Sequence, residues 1–183
     1  MLTRLKKTIG HKLLDRFKQG KQAAFDPSLD HCLISIRAML KASKYCFLIS
    51  HSNRDWPSAR MVQPIVDLDT MDIWLGTNPN LRKVKEIETN PHVTLAFGSD
   101  RENANLIIYG KAFILKDKEV RKKHWMGSWV LFFPGGPASE DFVSIKVEAQ
   151  EIEIMNFKRN LVDEPFGLKP VRLVQDDIGW QVK

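Results

Sequence analysis

Hydrophobic positions recur with a helical period at the start of this chain and with a strand period through most of the rest. Leu2, Leu5, Ile9, Leu13 and Phe17 fall three and four residues apart, which predicts an amphipathic helix in the segment 1–24. Residues 20–27 read as a linker. Asp26-Pro27-Ser28 then suits a helix start, and Leu29, Leu33, Ile36, Met39 and Leu40 form one apolar face that ends by Ser43. From Tyr45 the pattern changes. Residues 45–50 are an almost continuous apolar run, which predicts a short strand buried on both faces.

Turn-forming residues fill 51–57. Residues 60–66 read as a strand in which Pro64 marks an edge or a bulge. Asp67-Leu68-Asp69-Thr70 closes a hairpin into 71–75. Thr77-Asn78-Pro79-Asn80 is expected to cap a helix over 81–88. Residues 92–97 and 105–115 read as strands, and 117–129 as a helix. In 142–157, Val143, Ile145 and Val147 alternate with Ser144, Lys146 and Glu148. Ile152 and Ile154 continue after a shift of register, which predicts a bulge at 148–150. Residues 169–183 fit a last hairpin around Asp176-Asp177-Ile178-Gly179. Antiparallel strands with short turns and a few helices predict a mainly β domain with flanking helices, a barrel rather than a parallel sheet.

The length of 183 residues suits one domain with room for extra helices. The expected organisation is a basic amphipathic leader over 1–24, the barrel over 25–160 and a tail over 161–183. No apolar run approaches the ~20 residues that span a bilayer. No secretory signal is evident, so a cytoplasmic location is expected. Cys32 and Cys46 form no CxxC pair and are expected to be buried free thiols.

Net charge is +6, and it is unevenly placed. Residues 1–22 hold seven basic side chains against Asp15 alone, and the remaining 21 basic and 21 acidic residues cancel. The domain itself is therefore neutral, which argues against a nucleic-acid-binding fold. The basic segment has two readings. One is an arm for anionic membrane or nucleic acid. The other, which Gly10 and the single acidic residue favour, is a helix packed on its own domain or on a partner subunit.

Candidate chemistry concentrates between Ser58 and Lys111. Arg60 opens a strand, where its side chain can be held stiffly. Arg82 and Lys83 fall in the first turn of a helix, where free N–H groups and the helix dipole favour an anion. Thr77 and Asn78 precede that helix and can add hydrogen bonds. The runs Ser58-Ala59-Arg60-Met61-Val62-Gln63-Pro64, Thr77-Asn78-Pro79-Asn80-Leu81-Arg82-Lys83-Val84, Asn90-Pro91-His92-Val93-Thr94-Leu95-Ala96-Phe97 and Leu106-Ile107-Ile108-Tyr109-Gly110-Lys111 resemble the FMN-binding split barrel of the pyridoxine 5'-phosphate oxidase superfamily. A second stretch, Trp129-Val130-Leu131-Phe132-Phe133-Pro134-Gly135-Gly136-Pro137 followed by Asp141-Phe142-Val143, resembles its general stress protein branch.

The resemblance implies a split β-barrel that binds FMN rather than FAD. By it, Arg60 and Lys83 hold the flavin phosphate with Arg82 beside them. Met61, Val62 and Gln63 pass the isoalloxazine, and Thr77 and Asn78 add polar contacts. Asn105 stands near the place of a glutamine that meets the flavin across a subunit interface. Trp129 and Phe133 either wall the ring or fill the gap between helix and barrel. A homodimer with flavin between subunits is implied. Two departures stand out. Arg172-Leu173-Val174 lacks the histidine of the vitamin-binding Arg-Leu-His motif, which argues against vitamin B6 oxidation. Gly76 replaces an aromatic, which is expected to leave one flavin face more open.

The expected function is a flavin-dependent oxidoreductase with reduced nicotinamide or another small molecule as donor and an unidentified acceptor. His51 and His124 are candidate proton donors. One alternative is a flavin-binding stress or sensor protein without turnover. Another is a haem-binding barrel with His51 or His92 as ligand. The chain has no HxxH, HExxH or paired-cysteine pattern for a metal and no GxSxG for nucleophilic hydrolysis.

Overall fold

The computed structural model describes residues 2–52, 55–162 and 169–183, with residues 2–9 described by backbone alone. Residues 53–54 of the turn-rich loop and 163–168 of the expected tail lie outside the described residues. The strands are β1 (Cys46–Ser50), β2 (Ser58–Val62), β3 (Ile65–Val66), β4 (Ile73–Thr77), β5 (His92–Ser99), β6 (Ala104–Leu115), β7 (Val143–Asn156), β8 (Val171–Asp176) and β9 (Gly179–Val182). The helices are α1 (Leu2–Ala24), α2 (Leu29–Ala42), α3 (Arg82–Thr89) and α4 (Lys118–Lys123), and residues Gly127–Leu131 form a short 3-10 helix.

Every strand pairing among the described residues is antiparallel, in the order β2-β1-β5-β6-β7-β4-β3, with the β8–β9 hairpin attached to β7. β2 and β3 stand at opposite ends of that path, yet only Gln63 and Pro64 separate them in sequence. Such a link spans at most about 11 Å. The sheet must therefore curl until its ends meet, and Gln63-Pro64 forms the seam. The predicted single strand over 60–66 is split there, because proline has no N–H to give to a ladder.

Leu48, Leu95, Leu106, Ile108, Ile145, Ile152 and Ile154 are fully buried inside the barrel. The apolar face of α2, with Cys32, Ile36, Met39 and Leu40, packs on the same core. Both cysteines are free and buried. Burial pushes the Cys46 thiol up to about 12, and burial together with the charge of Asp26 pushes Cys32 up to about 11.

The shift of register predicted in β7 occurs where Tyr109 pairs with Glu151 and Gly110 with Ala149, leaving Gln150 as the extra residue. Gly110 is required at that point. A Cβ there would collide with the Glu148 carbonyl oxygen.

Four local expectations are corrected. β1 is buried on one face only, and Phe47 on its other face is 54% exposed. The predicted helix over 117–129 breaks after Lys123. There His124 leaves the helical path and stacks on Trp74 with ring centroids 3.4 Å apart. The first residue before α3 is Leu81, which has no capping side chain. Asn78 instead bonds the backbone N–H of Asn80 at 2.9 Å and shapes the turn ahead of the helix. Finally, α1 forms, and Leu13 and Phe17 on it are 66% and 56% exposed, so of the two expected packing places its own domain is not the one that covers them.

Candidate functional site

A cleft of about 540 Å³ opens at the seam of the barrel. That volume lies within the ~300–1,000 Å³ usual for small-molecule sites. The end of β2 supplies Met61 and Val62, the seam link supplies Gln63, the end of β4 supplies Gly76 and Thr77, the turn before α3 supplies Asn78 and Leu81, and the first turn of α3 supplies Lys83. Tyr45, Trp129, Phe132 and Phe133 complete the wall.

The aromatic side of the cleft is built on Gly76. A Cβ at Gly76 would meet Trp129 Cζ3 at 2.5 Å and Phe142 Cε2 at 2.7 Å. The space that glycine was expected to leave open is therefore filled by side chains from the segment after α4. Trp125 holds Trp129 edge-on at 5.8 Å between centroids, and Phe142 packs against Trp125 at 4.9 Å and Phe133 at 5.0 Å. Buried Arg121 ties this segment down, its Nη1 donating to the carbonyls of Ser139 at 2.5 Å and Phe142 at 2.6 Å. Trp129 thus both fills the gap and walls the cleft.

The polar side carries two unsatisfied groups. Thr77 Oγ1 is buried and has no hydrogen-bond partner among the described residues. Lys83 is half-buried, and burial, then the nearby charge of Arg60, lowers its pKa from the ordinary lysine value. No carboxylate among the described residues pairs with it. A desolvated ammonium beside a second cation favours an anion in the cleft.

Arg60 and Arg82 are spoken for. Arg60 Nη2 binds Glu86 Oε2 at 2.6 Å, and Arg82 Nε binds Glu86 Oε1 at 3.0 Å. Ser50 and Ser58 also donate to the same carboxylate, at 2.6 and 2.8 Å. Burial alone raises the pKa of Glu86, but the hydrogen bonds from Ser50, Ser58 and Arg60 outweigh it and hold the group below the ordinary carboxylate value. Glu86 is a hub that the sequence reading missed. Its spacing of four from Arg82 signals that one pair. Nothing in the spacing signals Ser50, Ser58 or Arg60, which arrive from other strands.

Of the ten residues singled out from sequence, Met61, Val62, Gln63, Thr77, Asn78, Lys83 and Trp129 line the cleft, and Arg60, Arg82 and Asn105 do not. Tyr45, Leu81 and Phe132 line it without having been singled out. Asn105 sits on the β6 rung between Gly98 and Met155. Its neighbours Leu106 and Ile108 point into the core, so Asn105, Ile107 and Tyr109 share the opposite face of the sheet. Phe47 and Met61 lie on that same outer face, paired across strands with each other and, through Phe47, with Ala96. Met61 is 63% exposed and also lines the cleft, so the cleft opens directly onto this apolar face.

The histidines lie elsewhere. His51 and His92 line a separate cleft of about 420 Å³ with Tyr109 and Gln150. His124 stacks on Trp74, and its Nδ1 lies 3.1 Å from the Val120 carbonyl oxygen. No group of three or more potential metal ligands occurs among the described residues. No helix among them is long and apolar enough to cross a membrane.

A family model described as "Pyridoxamine 5'-phosphate oxidase like" matches residues 33–165. General stress protein 26 of Bacillus subtilis (strain 168) is 31% identical over 91 residues, which is 48% of this chain and 64% of that protein. The chain therefore matches less than two thirds of that relative's length. A protein of Clostridium acetobutylicum related to general stress protein 26 superposes with a TM-score of 0.67 at 21% identity, over 80% of this chain and 96% of its own. The general stress protein 26 of Bacillus anthracis str. Sterne superposes with a TM-score of 0.61 at 21% identity, over 68% and 94%. At these identities the likeness of the two structures is one of fold.

Proposed function

The chain belongs to the pyridoxamine 5'-phosphate oxidase-like family, and from that premise we propose that its seam cleft binds FMN and serves a flavin-dependent oxidoreductase. The observation that carries this reading is Lys83, an ammonium that lines the cleft with no carboxylate partner among the described residues. Thr77 lines the same cleft, with its hydroxyl closed off beneath the surface. A phosphate brings about two negative charges and several acceptor oxygens, which satisfy an ammonium. The first turn of α3 adds free backbone N–H groups beside Lys83.

On this reading Lys83 holds the phosphate end, Asn78 adds a polar contact, and Thr77 forms part of the wall beside them. Arg60 and Arg82 contribute positive potential from their places on Glu86. Met61, Val62 and Gln63 follow the ring, and Trp129 and Phe133 wall it and keep water from one side. FMN would supply the hydride and electron chemistry, with reduced nicotinamide as a donor class and a small molecule as acceptor. Arg172 lies outside this role, since Glu151 clamps its Nε at 2.5 Å and its Nη2 at 2.6 Å. That engagement, with valine at position 174 in place of histidine, supports a substrate other than a vitamin B6 phosphate.

The working unit in this proposal is a homodimer. Phe47, Met61 and Tyr109 form an exposed apolar face that a second copy would cover. Asn105 shares that face, from which it would reach the partner's cleft. The cleft of one chain, open beside Met61, would then be closed by the other.

The test is the visible spectrum of the purified protein after incubation with FMN and removal of unbound flavin. Retained flavin bands are expected, and a colourless protein would overturn the cofactor assignment. Anaerobic addition of NADH or NADPH then separates the two functional readings. Bleaching within a catalytic cycle time supports an oxidoreductase, and unbleached flavin supports a binding or sensor protein.

A further inference from the structure

The helix α1 meets its domain with the wrong face for an ordinary amphipathic helix. Between residues 10 and 24 the partly buried side chains are Lys18 and Lys21, and Lys21 Nζ donates to Asn160 Oδ1 at 2.9 Å and to the Phe157 carbonyl at 3.4 Å. Leu13 and Phe17 lie one turn apart and about a quarter-turn round the helix from that stripe. Both are exposed, and Lys12 and Arg16 flank them in the open. The lysine stripe is spent on the domain while the apolar pair faces outward.

We propose that α1 is a docking surface for an anionic lipid bilayer, on which it lies in the plane of the headgroups. Charge selects the occupant. The first 22 residues carry the whole net charge of +6, and the rest of the chain is neutral. Each lysine or arginine near an anionic leaflet adds attraction, and Leu and Phe enter the boundary between headgroups and acyl chains. Nucleic acid would use the cations but offers no apolar layer for Leu13 and Phe17. A second copy of the helix would bring the same positive charge against this one. At 23 residues α1 has the length of interfacial helices, and it lacks the continuous apolar composition of a spanning one.

The test uses the full chain in vesicle flotation, with phosphatidylcholine vesicles compared with mixed phosphatidylglycerol and phosphatidylcholine vesicles. The wild-type protein is expected to float with the anionic vesicles and not with the neutral ones, and to be released by high salt. A variant carrying Leu13→Gln and Phe17→Gln, which removes the apolar pair and leaves the charge unchanged, is expected to bind the anionic vesicles at least about tenfold more weakly. Both side chains are exposed, so its melting temperature is expected to match the wild type. Three results would overturn the proposal. One is a wild-type protein that stays off anionic vesicles. Another is a double variant that binds them as well as the wild type, which would reduce the attraction to charge alone. The third is a double variant that instead lowers the oligomeric mass, which would make a second copy the occupant.

Discussion

Trp129 lies over Gly76 so closely that one added carbon at Gly76 would stand 2.5 Å from its ring. The wall of the cleft and the strand beneath it are thus fitted to each other. Gly76→Ala is expected to destabilise the fold by about 1–3 kcal/mol, the usual cost of overpacking, and to weaken FMN binding by displacing the wall. Trp129→Leu removes the nearer of the two rings and leaves Phe142 Cε2 at 2.7 Å, so the double variant is expected to lose less stability than the sum of the two single ones. Chemical denaturation of the four proteins measures this coupling, and strict additivity would count against the contact.

Lys83 is held in the folded protein at a cost. Burial and the charge of Arg60 lower its pKa, so the charged form is disfavoured relative to the unfolded chain. Lys83→Met is therefore expected to leave the flavin-free protein as stable as the wild type or more so. The same change is expected to weaken FMN binding by about 30-fold, for a lost charge-assisted contact of about 2 kcal/mol. Thermal melts with and without FMN check both halves.

Glu86 sets a pH limit. Its folded pKa lies below the ordinary value of 4.5, so its contribution to stability is present above that value and is lost as the pH falls through the lower folded value. Glu86→Gln is expected to destabilise the protein at neutral pH by about 3 kcal/mol, since two arginines lose a buried partner. The variant is also expected to show a shallower loss of stability on acidification. Denaturation curves collected from neutral to acid pH read both effects.

Much of this site was legible in the sequence because its parts are local. Met61-Val62-Gln63, Thr77-Asn78 and Lys83 reach the cleft from strand ends and a helix start that periodicity and turn chemistry already mark. What was not legible depends on long-range registry. By itself Arg60 reads as a ligand contact, but Ser50 and Glu86 arrive beside it once β1, β2 and α3 assemble. Gly76 promised an open face because the side chains that fill it come from more than fifty residues further along the chain. The break in the helix over 117–129 follows from a stacking partner, Trp74, on another element. The exposed side of Phe47 likewise escaped an apolar run that reads the same for a strand buried on one face or on two.

The outer face of the sheet carries its own prediction. Phe47→Glu places a charge where a second copy is proposed to sit, opposite Met61. The wild-type protein is expected to run as a dimer in analytical ultracentrifugation and the variant as a folded monomer with weakened flavin binding. A monomeric wild type that binds flavin fully would remove the partner from the site.

A cleft that recognises a flavin through its phosphate must separate FMN from riboflavin, and a side-by-side titration with the two reads that separation. The two ligands share the ring and differ in the phosphate. The wild-type protein is expected to bind FMN at least about tenfold more tightly than riboflavin, and Lys83→Met is expected to erase most of that difference. Equal affinity for the two ligands in the wild-type protein, or a preference for FMN that survives Lys83→Met, would contradict the account.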